Sequence, residues 1–309
     1  MIDFGLILAR FAQYAATTTL AGASLFPLYA YARTEPESLG HWRRRLLLWS
    51  ALAAVLSGLF WFLFAAASMS DNASNLVDFE NLWAVEDTSF GIVSTARMLL
   101  AVAITVASAV RLSSSASVSH NLTSSILAAV LLASLAGIGH TQAEEGWAGV
   151  VHIASDAAHL LAAGAWLGGL IPLAYILVRH GKTSYEAGLI DQVLLRFSGM
   201  GYLAVATLVG TGLINSWFLV GSVHGFLATP YGQTLLAKLG LFVGMLALAV
   251  ANRFWLVPAL SRIRPGSSES ESSLWRRRLR NHVVGEQLLG MMLLFVVSVL
   301  GTMQPAIGQ

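Results

Sequence analysis

Long apolar runs separated by short polar segments dominate the chain, and their length is what predicts the elements. Crossing a bilayer as a helix takes ~20 mainly apolar residues. Eight stretches meet that requirement, at approximately 4–31, 46–68, 90–110, 122–139, 150–178, 194–221, 233–260 and 283–303. The pattern predicts an all-α polytopic membrane protein, a bundle of eight transmembrane helices forming a single transmembrane domain over 1–309. The first, fifth, sixth and seventh runs exceed the minimum, which predicts tilt or extension past the membrane. Pro27, Pro172 and Pro258 fall near the exit ends of runs one, five and seven, where a lost backbone bond is tolerated. The start has no basic stretch ahead of its apolar run and reads as a retained first span rather than a cleaved leader.

Composition agrees with the pattern. The 309 residues are 56% hydrophobic and 11% charged, against about 25% charged in soluble domains, and the mean hydropathy is +0.69. With no cysteine, disulfides, iron–sulfur clusters and thiolate metal sites are excluded, leaving His, Met and carboxylates for any metal chemistry.

Charge sets the orientation. Arg33, Arg43, Arg44 and Arg45 follow the first run, Arg111 the third, and Arg179 and Lys182 the fifth. Arg262, Arg264, Arg276, Arg277, Arg278 and Arg280 follow the seventh. The alternate connections at 69–89, 140–149 and 222–232 carry no Lys or Arg and hold Asp71, Asp78, Glu80, Glu86, Asp87, Glu144 and Glu145 instead. Basic loops face the cytoplasm, so both termini are expected outside. The sequence pI near 9.1 then reports membrane orientation, and no nucleic-acid partner is expected. The loop at 261–281, Ser/Glu-rich and then basic, reads as a flexible linker with a membrane-surface anchor.

Chemistry concentrates in residues 150–170, VVHIASDAAHLLAAGAWLGGL. His152, Asp156 and His159 are spaced by four and three and share one helix face, and His140 lies just upstream. Ionisable groups inside a membrane are costly and mark functional sites by default. Helical rise puts His159 roughly 10 Å deeper than His152, so a straight helix cannot close both on one ion with ~2.0 Å bonds. Two arrangements stay open: His140 with His152 near the surface followed by Asp156 and His159 as a relay, or one of the span-five histidines with ligands from other helices. His41, His120, His180, His224 and His282 read as solvated. Arg10, Arg97, Asn215 and Lys238 lie at a similar depth on other spans and predict a polar layer in the outer part of the bundle. Arg253 and Glu286, near cytoplasmic ends, predict a structural ion pair. Trp166, Gly168 and Gly169, with Gly210 and Gly212, read as helix-packing positions. Tyr202, Tyr231, Trp49, Trp83, Trp147 and Trp217 read as interfacial residues. No nucleotide-binding loop, GxGxxG or GxSxG element is present, and the chain is not expected to be an enzyme.

The blocks GHTQ (139–142), DAAHLLAAGAWLGGL (156–170), GTGLINSWFLVGS (210–222), TPYGQTLLAKLGLF (229–242), ANRFWLVPAL (251–260), GEQLLG (285–290) and LGTMQPA (300–306) together resemble the copper resistance protein D family. The resemblance covers the whole chain and is most specific from residue 139 onward. It implies a bacterial inner (cytoplasmic) membrane protein that transports copper or maintains copper homeostasis, receiving the ion at the periplasmic face. It also implies a separate small periplasmic copper-binding protein, CopC-like, as partner beside the membrane lipid. The copper ion would then be the metal at His140, His152, Asp156 and His159; imidazole suits both copper states, and a carboxylate favours Cu(II). Two other readings use the same residues. Paired histidines on neighbouring spans can ligate haem b, with Arg or Lys on its propionates, which makes a haem- or quinone-binding redox protein. A non-transporting membrane partner in copper sensing is the third.

Overall fold

The computed structural model describes residues 2–31, 35–70, 76–113, 118–138, 146–179, 184–261 and 269–308. The helices are α1 (Ile2–Ala30), α2 (Glu37–Met69), α3 (Phe79–Glu86), α4 (Ser89–Val110) and α5 (Val118–Ala133). They continue with α6 (Gly146–Ala163), α7 (Gly169–Arg179), α8 (Ser184–Val220), α9 (Val223–Ala228), α10 (Pro230–Ala251), α11 (Val257–Ser261) and α12 (Glu269–Leu300). Among the described residues no strand occurs. Six helical segments are long and apolar enough to cross a membrane: Glu37–Met69, Ser89–Val110, Gly146–Arg179, Gly188–Val220, Pro230–Ala259 and Leu274–Leu300. Trp49, Leu99, Leu203, Leu213, Trp217 and Trp255 stand exposed on their outer faces, as lipid-facing side chains must. The protein is a multi-pass membrane protein.

The two other predicted spans differ from these six. The segment from α5 through a 3-10 turn at Ser134–Gly137 is a shorter apolar helix. The α1 helix is long but less apolar, because protein rather than lipid surrounds it. It packs against α2, α5, α7, α8 and α12, and buries Gln13, Thr17, Thr18 and Ser24 among its alanines and glycine. Gln13, Thr17 and Ser24 are bonded in place: Thr17 Oγ1 donates to the Gln13 carbonyl at 2.7 Å, Ser57 Oγ to Gln13 Oε1 at 2.5 Å and Ser125 Oγ to the Ser24 carbonyl at 2.7 Å. Buried polar groups are tolerable only when bonded in this way.

The α1 crossing is close. A Cβ on Gly168 would strike the Thr18 carbonyl oxygen, and one on Gly22 would strike the backbone of Gly164 and Gly168. The packing role expected of Gly168 therefore holds, and Gly169 abuts the Tyr29 hydroxyl and Phe197. Gly210 does not conform: a Cβ there would meet nothing within 4 Å, because this face of α8 is bare.

The predicted spans five and seven, Gly146–Arg179 and Pro230–Ala259, are not continuous α-helices. Each contains a π turn, Gly164–Gly168 and Asn252–Leu256. Each turn lies just before a proline, Pro172 or Pro258. A proline lacks its N–H and crowds the carbonyl four residues back, here Gly168 or Phe254, and a widened turn accommodates both defects. The expected linker at 261–281 also differs, since α12 begins at Glu269. Trp275, Leu279 and Val283 recur every four residues, and the last two are buried, so the apolar stripe of the span runs on below it.

Two of the predicted basic loops meet at one end of the bundle. Arg43 forms a buried ion pair with Glu35 at 2.8 Å and donates to Asn121 Oδ1 at 3.0 Å, and Arg111 donates to Ser124 Oγ at 2.6 Å.

Candidate functional site: a cavity with histidines on its wall

At the opposite end, α6, α8 and α10 diverge around a cavity of about 590 Å³. Its wall includes Arg10, His152, Asp156, His159, Asn215 and Lys238. These residues come from α1, α6, α8 and α10, and the fold brings them together. His140 lies outside the described residues. Arg97 is elsewhere: it is buried between α1, α2 and α4, where Nη1 donates to Ser134 Oγ at 3.2 Å beside Gln13 and Trp61. Distance along the membrane normal predicted a shared layer; position around the bundle axis separates Arg97 from the cavity.

His159 is the most defined group in the wall. Its Nδ1 is 2.9 Å from Thr211 Oγ1, and that hydroxyl donates to the Thr207 carbonyl at 2.6 Å. A hydroxyl has one proton, so toward His159 it accepts, Nδ1 carries the hydrogen, and Nε2 keeps its lone pair. An imidazole so oriented is a ready metal ligand. One helical turn earlier, Asp156 Oδ1 accepts from Asn215 Nδ2 at 3.2 Å, while Asn215 Oδ1 is buried with no hydrogen-bond partner among the described residues. His152 is buried and stacks on Phe218 with ring centres 4.6 Å apart and planes 10° from parallel.

The same wall carries two cations, Arg10 and Lys238. Arg10 lies over the Trp61 ring at 4.8 Å, and Gly301 makes room for its guanidinium, since a Cβ there would collide with it. Lys238 and Asp156 face the same cavity but do not close to an ion pair, and among the described residues the ion pair is Arg43–Glu35. No three His, Asp or Glu among the described residues converge into a preformed metal cage.

Several residues that build the site carry no sequence signal. Thr211 and Phe218, which hold the His159 and His152 rings, and the buried thioether of Met245 on the cavity wall are ordinary span residues until the fold aims them. Tyr231, expected at the interface, is 3% exposed and lines the cavity, whereas Tyr202, Trp49, Trp83, Trp147 and Trp217 are exposed as expected.

The expected Arg253–Glu286 ion pair does not form. Glu286 accepts a hydrogen bond from Asn252 Nδ2, and Arg253 Nε donates to Tyr202 Oη at 3.3 Å. The π turn at Asn252–Leu256 is the reason: it rotates Asn252 inward and leaves Arg253 toward the surface.

Comparison with known proteins agrees along the whole length. Residues 1–150 match the family model described as copper resistance protein D-like, N-terminal domain, and residues 191–300 match that described as copper resistance protein D. The chain is 32% identical over 306 residues to copper resistance protein D of Pseudomonas syringae pv. tomato, covering 97% of this chain and 96% of that one. It is 34% identical over 173 residues to the inner membrane protein YebZ of Escherichia coli (strain K12), 55% of each chain. Over 125 residues it is 34% identical to the copper transport protein CutJ of Bacillus subtilis (strain 168), 40% of this chain and 22% of that one. No solved structure matches. A multi-pass helical membrane protein that aligns end to end with such a relative has a copper-related membrane function, and the chain belongs to the copper resistance protein D family.

Proposed function

We propose that the protein carries copper across the bacterial inner membrane, receiving it in the outer cavity at the periplasmic face. In this reading all eight rods cross the bilayer, and both termini are periplasmic. The basic loops joined through Arg43, Asn121, Arg111 and Ser124 lie in the cytoplasm, as the positive-inside rule requires. A small periplasmic copper-binding protein, CopC-like, delivers the ion to His140 and His152, and Asp156 and His159 take it deeper. Copper is cargo here, and no covalent step is involved.

One observation carries the reading: the Thr211 hydroxyl fixes the His159 tautomer and presents Nε2 to a cavity that also holds a carboxylate, a second imidazole and a thioether. That mixture of nitrogen, oxygen and sulfur donors suits copper in either oxidation state. The Arg10 cation–π contact with Trp61 keeps one positive charge away from the ligand edge, and Asp156 offsets Lys238. The names of the relatives lend no support to the haem b or quinone readings.

The test is metal content of the purified protein under reducing and oxidising conditions, with uptake into proteoliposomes. Wild-type protein should retain copper and move it, and His159→Ala should lose both. Wild-type protein that holds no copper in either condition, or an H159A variant that handles copper normally, would sink the proposal. The second outcome would favour the sensing role.

A further inference from the structure

A second cavity of about 270 Å³ lies toward the cytoplasmic end, between α8, α10, α12 and the π turn of span five. Its polar wall is Trp166, Ser198, Tyr202, Asn252, Arg253 and Glu286. Trp166, 2% exposed, lines this cavity and the outer one alike, so one indole on a π turn is a wall of both. Trp166 and Asn252 both lie on π turns, which recur at functional positions in helices.

Glu286 is 2% exposed. Asn252 Nδ2 donates to its carboxylate, as does the Trp166 indole N–H. Both donors are neutral. The cation that lines the same cavity, Arg253, is engaged with Tyr202 at 3.3 Å, and no cation closes to ion-pair distance with Glu286 among the described residues. Asn252, 9% exposed, leaves Oδ1 buried without a partner among the described residues. A carboxylate buried in an apolar surround without a counter-charge is expensive, and binding a cation or a proton relieves it. Among the described residues the cavity offers oxygen donors alone, with no imidazole or thioether on its wall, which disfavours soft Cu(I) and suits a proton or another hard cation.

We propose that the inner cavity is a proton-binding site with Glu286 as the proton carrier and Trp166 as the partition separating it from the outer cavity. Uptake converts the carboxylate to the acid by forming one O–H bond, and release returns it. Protonation weakens the hydrogen bond from the Trp166 indole, which is charge-assisted only while Glu286 is ionised, and so loosens the partition. The proton site stands on its own geometry; its coupling to copper movement rests on the function proposed above.

Infrared difference spectroscopy of the purified full chain tests the site without copper. Wild-type protein should show a protonated-carboxyl stretch that is lost as the pH is raised and ignores added sodium. Glu286→Gln, which keeps an acceptor for Asn252, should lose that band, and Trp166→Phe should keep it at a shifted frequency. If E286Q does not fold, Glu286→Asp takes its place and should move the band. A titrating band unchanged in E286Q or E286D, no such band in wild-type, or its suppression by sodium would overturn the proposal. In proteoliposomes with a lumenal pH dye, copper addition should move protons in wild-type and not in E286Q, while E286Q retains wild-type copper content. Proton movement by E286Q equal to wild-type would overturn the coupling. Wild-type vesicles that move no copper would count against the proposed function and leave the carboxyl band as the measure of the proton site.

Discussion

A single hydroxyl decides what His159 can do. With Thr211 Oγ1 accepting from Nδ1 and donating to the Thr207 carbonyl, the ring cannot turn its protonated nitrogen to the cavity without breaking a buried bond. Thr211→Val preserves shape and removes the acceptor. Outer-shell partners of ligating histidines typically contribute 10–100-fold to metal affinity. Thr211→Val should therefore weaken copper binding by about that factor, read by competition titration with a chelator, while leaving the melting temperature nearly unchanged. Affinity equal to wild-type would mean that His159 is not a ligand. Thr211 could not be picked out in advance. It lies 52 residues from His159 in the chain, and threonine in an apolar helix ordinarily bonds its own backbone, as this one also does. His159 itself was legible, because a histidine inside an apolar run stands out in any reading.

At the scale of the element, the departures from regular helix do the positioning. The π turns before Pro172 and Pro258 change which residues of spans five and seven face inward. That change puts Asn252 rather than Arg253 on Glu286. The prolines were visible in the sequence, but whether a helix kinks, ends or widens depends on the neighbours that re-satisfy its freed carbonyls. The close crossing of α1 yields a graded expectation. Gly168→Ala meets the backbone oxygen of Thr18, which cannot yield, whereas Gly164→Ala meets the Cδ2 end of Leu132, which can rotate. Overpacking a well-filled core costs about 1–3 kcal/mol, so Gly168→Ala should melt well below wild-type in detergent. Gly164→Ala should melt between them, and Gly210→Ala, facing open space, should match wild-type. Equal melting of the three variants would show that the α1 crossing is not tight. The buried Arg43–Glu35 pair belongs at this scale too. Glu35→Gln leaves a buried guanidinium without its counter-charge, and breaking such a pair costs about 3–5 kcal/mol. A comparable loss of stability by chemical denaturation is expected.

For the whole molecule, the central question is which end faces which compartment. The chain has no cysteine, so single-cysteine variants can be labelled without background. With the proposed orientation, Glu80→Cys should react in intact spheroplasts with a membrane-impermeant maleimide, and Arg45→Cys only after the membrane is opened. The reverse pattern would invert the topology and move the outer cavity to the cytoplasmic side. The same scale explains why the α1 helix is polar for a span. It runs through the middle of the bundle, so its Gln13, Thr17 and Ser24 meet protein groups that bond them rather than hydrocarbon.

What the amino-acid order alone determined was the class of molecule. Apolar run length, the grouping of Arg and Lys in alternate loops and the absence of cysteine specify a helical membrane bundle, because a bilayer admits few alternatives. The same reading picked out His152, Asp156 and His159 as exceptional, since ionisable groups are rare where lipid surrounds them. Tertiary structure decided which exceptional residues meet. Depth in the membrane can be counted along a helix, but azimuth around the bundle depends on packing, and azimuth put Lys238 and Arg10 at the outer cavity and Arg97 away from it. It also gave Glu286 an inner cavity behind Trp166, a juxtaposition set by two π turns whose register no linear pattern encodes.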